Sequence, residues 1–137
     1  MTKNRIILLG VIPGHKGAKF VENFQFYKEL GLYADVIPAF SLPSIDSRHK
    51  NVDVVVIREN NEGEFSGIEH EVYPGVIESI KVITKEGSLK IANYAFEFAH
   101  LSGRKKVTAV HKANIMKKVD GLFLEACREV AKKYPFL

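Results

Sequence analysis

Four β-branched apolar residues, Val54-Val55-Val56-Ile57, run without a break into Arg58. An unbroken run of this kind marks a strand covered on both faces, which demands a layered fold with other elements packed above and below it. Directly after it come Glu59-Asn60-Asn61-Glu62-Gly63-Glu64, a turn dense in carboxylates and glycine. An arginine at the end of a buried strand, followed by such a turn, is the layout of an anion site. The planar guanidinium can hold a carboxylate through two parallel hydrogen bonds. It can equally pair with Glu59, Glu62 or Glu64. Asn60, two residues on, lies on the same side of an extended segment and can touch the same ligand or simply form the turn.

The rest of the chain alternates strand and helix patterns. Arg5–Gly10 reads as a short strand, and 11–18 as a loop with Pro13-Gly14 and Gly17. Residues 21–32 read as a helix ending near Gly31, and Ala34–Phe40 as a strand. Residues 41–50 and 60–74 read as mostly loop and turn. Val76–Thr84 reads as a strand that projects Lys81 from an otherwise apolar face. Ser88–Leu101 carries a wide apolar stripe and ends where Gly103 suits the cap. Val107–Val110 reads as a further strand. Val119, Leu122, Phe123, Ala126 and Val130 mark a last helix. The expected fold is α/β: a mixed sheet with flanking helices and a projecting β segment.

Composition agrees with a globular chain. Of 137 residues, 46% are apolar and 26% charged, and the net charge is +4. The basic clusters at 104–106 and 117–118 sit beside acidic residues without interleaved aromatics, so they predict solvated rims and no nucleic-acid partner. No apolar run is long enough to span a bilayer. Cys127, the single cysteine, falls on the apolar side of a helix and reads as a core residue in a reducing compartment. The amino terminus reads as running straight into a strand pattern, so no targeting peptide is expected within this stretch. The abrupt ends read as those of a partial chain.

Two stretches carry a resemblance: 57–71, from Ile57 through Arg58 to Glu71, and Val110-His111-Lys112-Ala113-Asn114-Ile115-Met116-Lys117. Together they resemble the decarboxylating β-hydroxyacid dehydrogenases, and within them the NAD-dependent isocitrate dehydrogenases. The likeness covers about residues 5–135 but only the middle of a family member. It implies that 1–137 is the central part of an isocitrate/isopropylmalate dehydrogenase-like domain, with a subunit clasp at about 66–84. It further implies that Arg58 grips substrate carboxylates, that Lys112 handles the hydroxyl proton with Asn114 beside it, and that Lys81 reaches into a partner's site. His111 reads as a packed or capping residue.

The departures matter more. Catalytic members carry a tyrosine where this chain has Phe65, and a ring without a hydroxyl cannot supply a proton. Aligning Tyr33-Ala34-Asp35-Val36 on the family pattern puts Tyr27 and Ile37 where two more substrate arginines belong, and Val21 where a serine belongs, while Asn23 is retained. Three carboxylates would then face one arginine, and each charged hydrogen bond lost removes ~1.5–3 kcal/mol. The stretch from Leu101 to Lys112 is nearest the regulatory branch. The resemblance therefore implies a regulatory, non-catalytic subunit, inactive alone, that binds a citrate-like effector through Arg58, Asn60, Asn23 and Asn114. Its partner would be a catalytic subunit, in the mitochondrial matrix and the citric acid cycle. NAD and Mg²⁺ or Mn²⁺ would serve the holoenzyme; the family's metal-binding aspartates and nucleotide stretch lie downstream, so neither is expected to bind this chain alone. The alternatives are a catalytic subunit that tolerates Phe65 and a non-enzymatic clasp module.

Overall fold

The computed structural model describes residues 27–137. The strand expected at Arg5–Gly10, the loop after it, most of the first helix, and Val21 and Asn23 lie outside the described residues. The helix end is present. Gly31 adopts a left-handed φ of 66°, and its N–H and that of Leu32 donate to the carbonyls of Lys28 and Tyr27. This double closure satisfies carbonyls that a helix end would leave bare, and it needs a residue without a Cβ penalty.

Strands β1 (Ala34–Phe40) and β2 (Asp53–Glu59) pair antiparallel, with Asp35 opposite Arg58 and Phe40 opposite Asp53. Pro38 lacks a donor and is tolerated because, among the described strands, β1 pairs with β2 alone and is an edge. The β-branched run does form a strand. It is not covered on both faces within the described chain, however: Val54 and Val56 are about half exposed. Helix α1 (Lys85–Leu101) packs against β2. An open cleft of about 1000 Å³ is lined by β2, α1, residues 104–110 and part of residues 123–131.

Strands β3 (Gly63–Tyr73) and β4 (Val76–Val82) form a second antiparallel pair. The sequence suggested loop over most of β3, because Glu64, Gly67, Glu69 and Glu71 are poor strand formers. Cross-strand pairing overrides that weak local preference, with His70 meeting Glu78 at 3.3 Å. Tyr73-Pro74-Gly75-Val76 closes the hairpin, and the φ of 83° at Gly75 is the conformation that the third position of a Pro-Gly turn requires. The projecting segment is thus a full hairpin from Gly63 to Val82, starting earlier than expected. Val72, Tyr73 and Ile77 are exposed on it.

Helix α1 starts at a cap that the acidic turn braces. Thr84 Oγ1 accepts the N–H of Gly87 at 3.0 Å. The Glu62 carboxylate accepts the Thr84 N–H at 2.9 Å and its hydroxyl at 2.5 Å. It approaches so closely that a Cβ on residue 87 would lie 2.6 Å from it, so glycine there makes room for the brace. Removing the cap with Thr84→Ala is expected to lower stability by about 1 kcal/mol, read as a shift in the urea midpoint without a change in slope. The helix ends as it began to be read: Gly103 at φ 65° closes it, with Gly103 and Arg104 donating to His100 and Ala99.

Helix α2 (Val119–Ala131) completes the core. Ala92 and Phe96 of α1 meet Cys127 and Val130 of α2, and Leu89, Val107, Phe123, Tyr134 and Leu137 pack around them. Cys127 is buried, and burial pushes its thiol up from the ordinary range, which suits a core residue and not a nucleophile. Residues 107–110 form no strand: no other described strand pairs with them. Their side chains still serve the core through Val107 and Ala109.

Candidate functional site

Arg58 stands one residue from the end of β2 and faces Asp35 directly across the ladder. Directly opposed residues project to the same face, so the two side chains meet without any loop rearrangement. Nη2 of Arg58 donates to Oδ2 of Asp35 at 2.8 Å. The partner is therefore none of Glu59, Glu62 or Glu64. Both groups are open to solvent, at 49% and 36% of their side-chain surface, so the pair contributes no more than about 1 kcal/mol. The guanidinium also lies over the Phe65 ring, with Cζ 4.9 Å from the ring centre. Arginine stacked on an aromatic face is held flat, with its N–H edges left for in-plane acceptors.

The acidic turn between Arg58 and Phe65 is structural. Glu59 accepts the N–H groups of Asn61 and Glu62, and Glu62 braces the helix cap. Asn60 donates its backbone N–H to the Tyr33 carbonyl at 2.8 Å, continuing the strand contact. These bonds fix the turn so that Arg58 and Phe65 are presented together. The Oδ1 of Asn61 is buried without a hydrogen-bond partner.

A second cluster forms around Asp120. Lys81 Nζ lies 2.9 Å from Asp120 Oδ1 and 3.2 Å from Glu64 Oε1. Asp120 Oδ2 accepts the backbone N–H of Lys112 at 2.5 Å. Asp120 is buried and Lys81 is largely shielded. The ionised partners lower each other's energy. The hydrogen bond to Asp120 holds the Lys81 ammonium above its ordinary range, against desolvation, with Glu64 assisting. The bond from Lys81 holds the Asp120 carboxyl below its ordinary range, helped by the Lys112 N–H. Glu64 is likewise lowered, first by its own backbone N–H and then by Lys81.

Lys112 itself is exposed, as are His111 and Asn114. The described residues of this chain do not form a dry cleft around the Lys112 ammonium. The Lys112 carbonyl accepts from Ile115 and Met116, and Nδ1 of His111 accepts the N–H of Ala113 at 3.0 Å. His111 thus caps the turn that carries Lys112. Lys81, which the sequence projected toward a partner, is tied within its own chain to Asp120 and Glu64.

The structure therefore brings Arg58 and Phe65 together, and joins Lys81 to the Lys112 backbone through Asp120. Glu64 and Phe65 are neighbours on β3 and serve different clusters, since adjacent strand residues point to opposite faces. Asp35 and Asp120 were missed as site residues. For Asp35 the needed signal was the β1–β2 register. For Asp120 the one available hint was a carboxylate in the first turn of α2, just after the Lys112 motif. No group of three or more His, Cys, Asp or Glu able to hold a metal ion occurs among the described residues. No described helix is long and apolar enough to cross a membrane.

Comparison with known proteins places the chain in a family. The family model for isocitrate/isopropylmalate dehydrogenase matches residues 1–137. The mitochondrial NAD isocitrate dehydrogenase regulatory subunit 1 of Arabidopsis thaliana is 61% identical over 134 residues, which are 97% of this chain and 36% of that protein. Catalytic subunit 6 of the same enzyme and plant is 53% identical over 135 residues, again 97% of this chain and 36% of that protein. The crystal structure of isocitrate dehydrogenase from Methylococcus capsulatus superposes with a TM-score of 0.82 at 44% identity, over 94% of this chain and 39% of that one. The chain spans little more than a third of the length of the curated relatives it matches.

Proposed function

The chain belongs to the isocitrate/isopropylmalate dehydrogenase family, and from that premise we propose that it acts as a regulatory, non-catalytic subunit of an NAD-dependent isocitrate dehydrogenase. The observation that carries this reading is Phe65 lying on Arg58. The arginine of an anion site is kept and presented, but the residue beside it has no hydroxyl with which to return a proton after decarboxylation. Binding is retained where acid catalysis is not.

In this reading Arg58 holds a carboxylate of a citrate-like effector, with Asn60, Asn23 and Asn114 as further contacts. The β3–β4 hairpin, with Val72, Tyr73 and Ile77 exposed, clasps a catalytic subunit. Lys81 and Lys112 serve the site shared at that interface, and Asp120 keeps their segments in fixed relation. NAD and Mg²⁺ or Mn²⁺ supply the redox and charge-stabilising chemistry of the holoenzyme. The described residues of this chain offer no set of donors for the metal. Service in the mitochondrion belongs to the same proposal, supported by relatives whose names place them there.

The second reading is a catalytic subunit: the chain is 53% identical to a catalytic relative, below its 61% identity to a regulatory one. Assay of the chain with and without a catalytic subunit separates the two. On the regulatory reading, Phe65→Tyr leaves kcat within about two-fold, and Arg58→Ala abolishes the response to citrate without lowering the maximal rate. Turnover of isocitrate at an ordinary rate by this chain without a catalytic subunit, Phe65 unchanged, would mean that it carries out the chemistry itself.

A further inference from the structure

We propose that Asp35 is an internal counter-anion that a carboxylate ligand must displace from Arg58, and that it thereby sets the affinity and charge selectivity of the site. This rests on the effector reading above and adds the residue that regulates it. Three observations carry it. Asp35 and Arg58 are direct cross-strand partners, so their contact is built into the sheet register and not left to a mobile loop. The contact is a single Nη2–Oδ2 hydrogen bond, 2.8 Å long, where the guanidinium offers a two-pronged grip to a ligand. Both partners are open to solvent, so an outside carboxylate can reach the guanidinium although it lies over the Phe65 ring.

The physics makes this a tuning device and not a block. An exposed ion pair is weak, so a ligand carboxylate that takes both prongs outcompetes it. Asp35 then stays within a few ångströms of the bound anion, and like charges at such distances repel. The repulsion grows with each carboxylate on the ligand. Asp35 therefore penalises a tricarboxylate more than a monocarboxylate, a selectivity opposite to that of a bare arginine.

Titration of the full chain with citrate, malate and lactate, before and after Asp35→Asn, tests this. The substitution keeps the shape and removes the charge. Asp53→Asn, which removes the same charge from the exposed pair with Arg104, is the control for net charge. The expected result is citrate affinity raised about five- to ten-fold by D35N, a smaller gain for malate and least for lactate, no gain with D53N, and loss of the whole effect on adding Arg58→Ala. If Arg58→Ala weakens citrate binding in the parent chain but D35N changes nothing, the counter-anion role is overturned while the effector site stands. If the parent chain binds no citrate and D35N does so through Arg58, the counter-anion role is upheld and the effector reading falls. If neither chain binds, or all three ligands gain equally, the proposal is wrong.

Discussion

Truncating Phe96 to alanine is expected to destabilise the chain by about 3–5 kcal/mol, enough to lower its melting temperature by roughly 10 °C or more. Phe96 is 7% exposed and sits where α1 meets α2, among Ala92, Cys127 and Val130. Its ring stacks on Tyr134 at a centroid distance of 5.5 Å. Alanine in its place loses both the transfer of a large ring from water and the contacts of every side chain around it, because helices fixed at both ends relax little into the void. The control is Phe136→Ala at the same end of the molecule. Phe136 is 62% exposed and touches the same aromatic group through His100 and Tyr134. Its loss is expected to shift stability by less than about 1 kcal/mol. Equal effects in urea unfolding would show that the α1–α2 seam is not the centre of stability. The point bears on function because α1 begins at the cap braced by Glu62 and α2 begins beside Asp120. A loosened seam would move both clusters.

That seam was legible in the sequence because helices encode themselves locally. The apolar stripe at Phe96 and Ala99, the stripe at Ala126 and Val130, and the closing glycines at 31 and 103 each need only their own neighbours to be read. Cys127 was readable for the same reason. Strand β3 was not. Glu64 through Glu71 become strand only because β4 pairs with them, and pairing partners leave no trace in local propensity. The opposite error occurred at 107–110, where strand-forming residues lack a pairing partner among the described strands. The run at 54–57 gave the strand correctly but overstated its cover. The candidate site divides along the same line. Arg58 and Phe65 stood out because they are seven positions apart in one motif. Asp35 lies 23 positions from Arg58, and only the register of β1 on β2 puts them face to face. Likewise the sequence showed Lys81 and Lys112 but not the carboxylate between them.

That carboxylate carries the second large effect. Asp120→Ala is expected to destabilise the chain by about 2–3 kcal/mol, because it strips a shielded ammonium of its main partner and leaves the Lys112 N–H without its acceptor. Glu64 still reaches Lys81, which keeps the loss below that of a fully buried pair. The dependence on pH follows from the directions of the shifts. Asp120 and Glu64 are held below their ordinary values, so their stabilisation is complete above the usual carboxylate range and drains as pH falls below about 4. Lys81 is held above its ordinary value, so its share is complete below about pH 10 and is lost only as pH rises beyond. Between roughly pH 5 and 9 the difference between the parent chain and the variant is therefore expected to be flat, and it should shrink on the acid side. Urea unfolding across pH 3 to 9 measures it. A difference that peaks in acid would mean that Asp120 is protonated in the folded chain. The ion pair would then not exist as described, and the hairpin that carries Lys81 would be free to move against the turn that carries Lys112. With the link in place, the Lys81 side of β3 is held in fixed relation to Arg58, since Glu64 and Phe65 are consecutive residues of that strand.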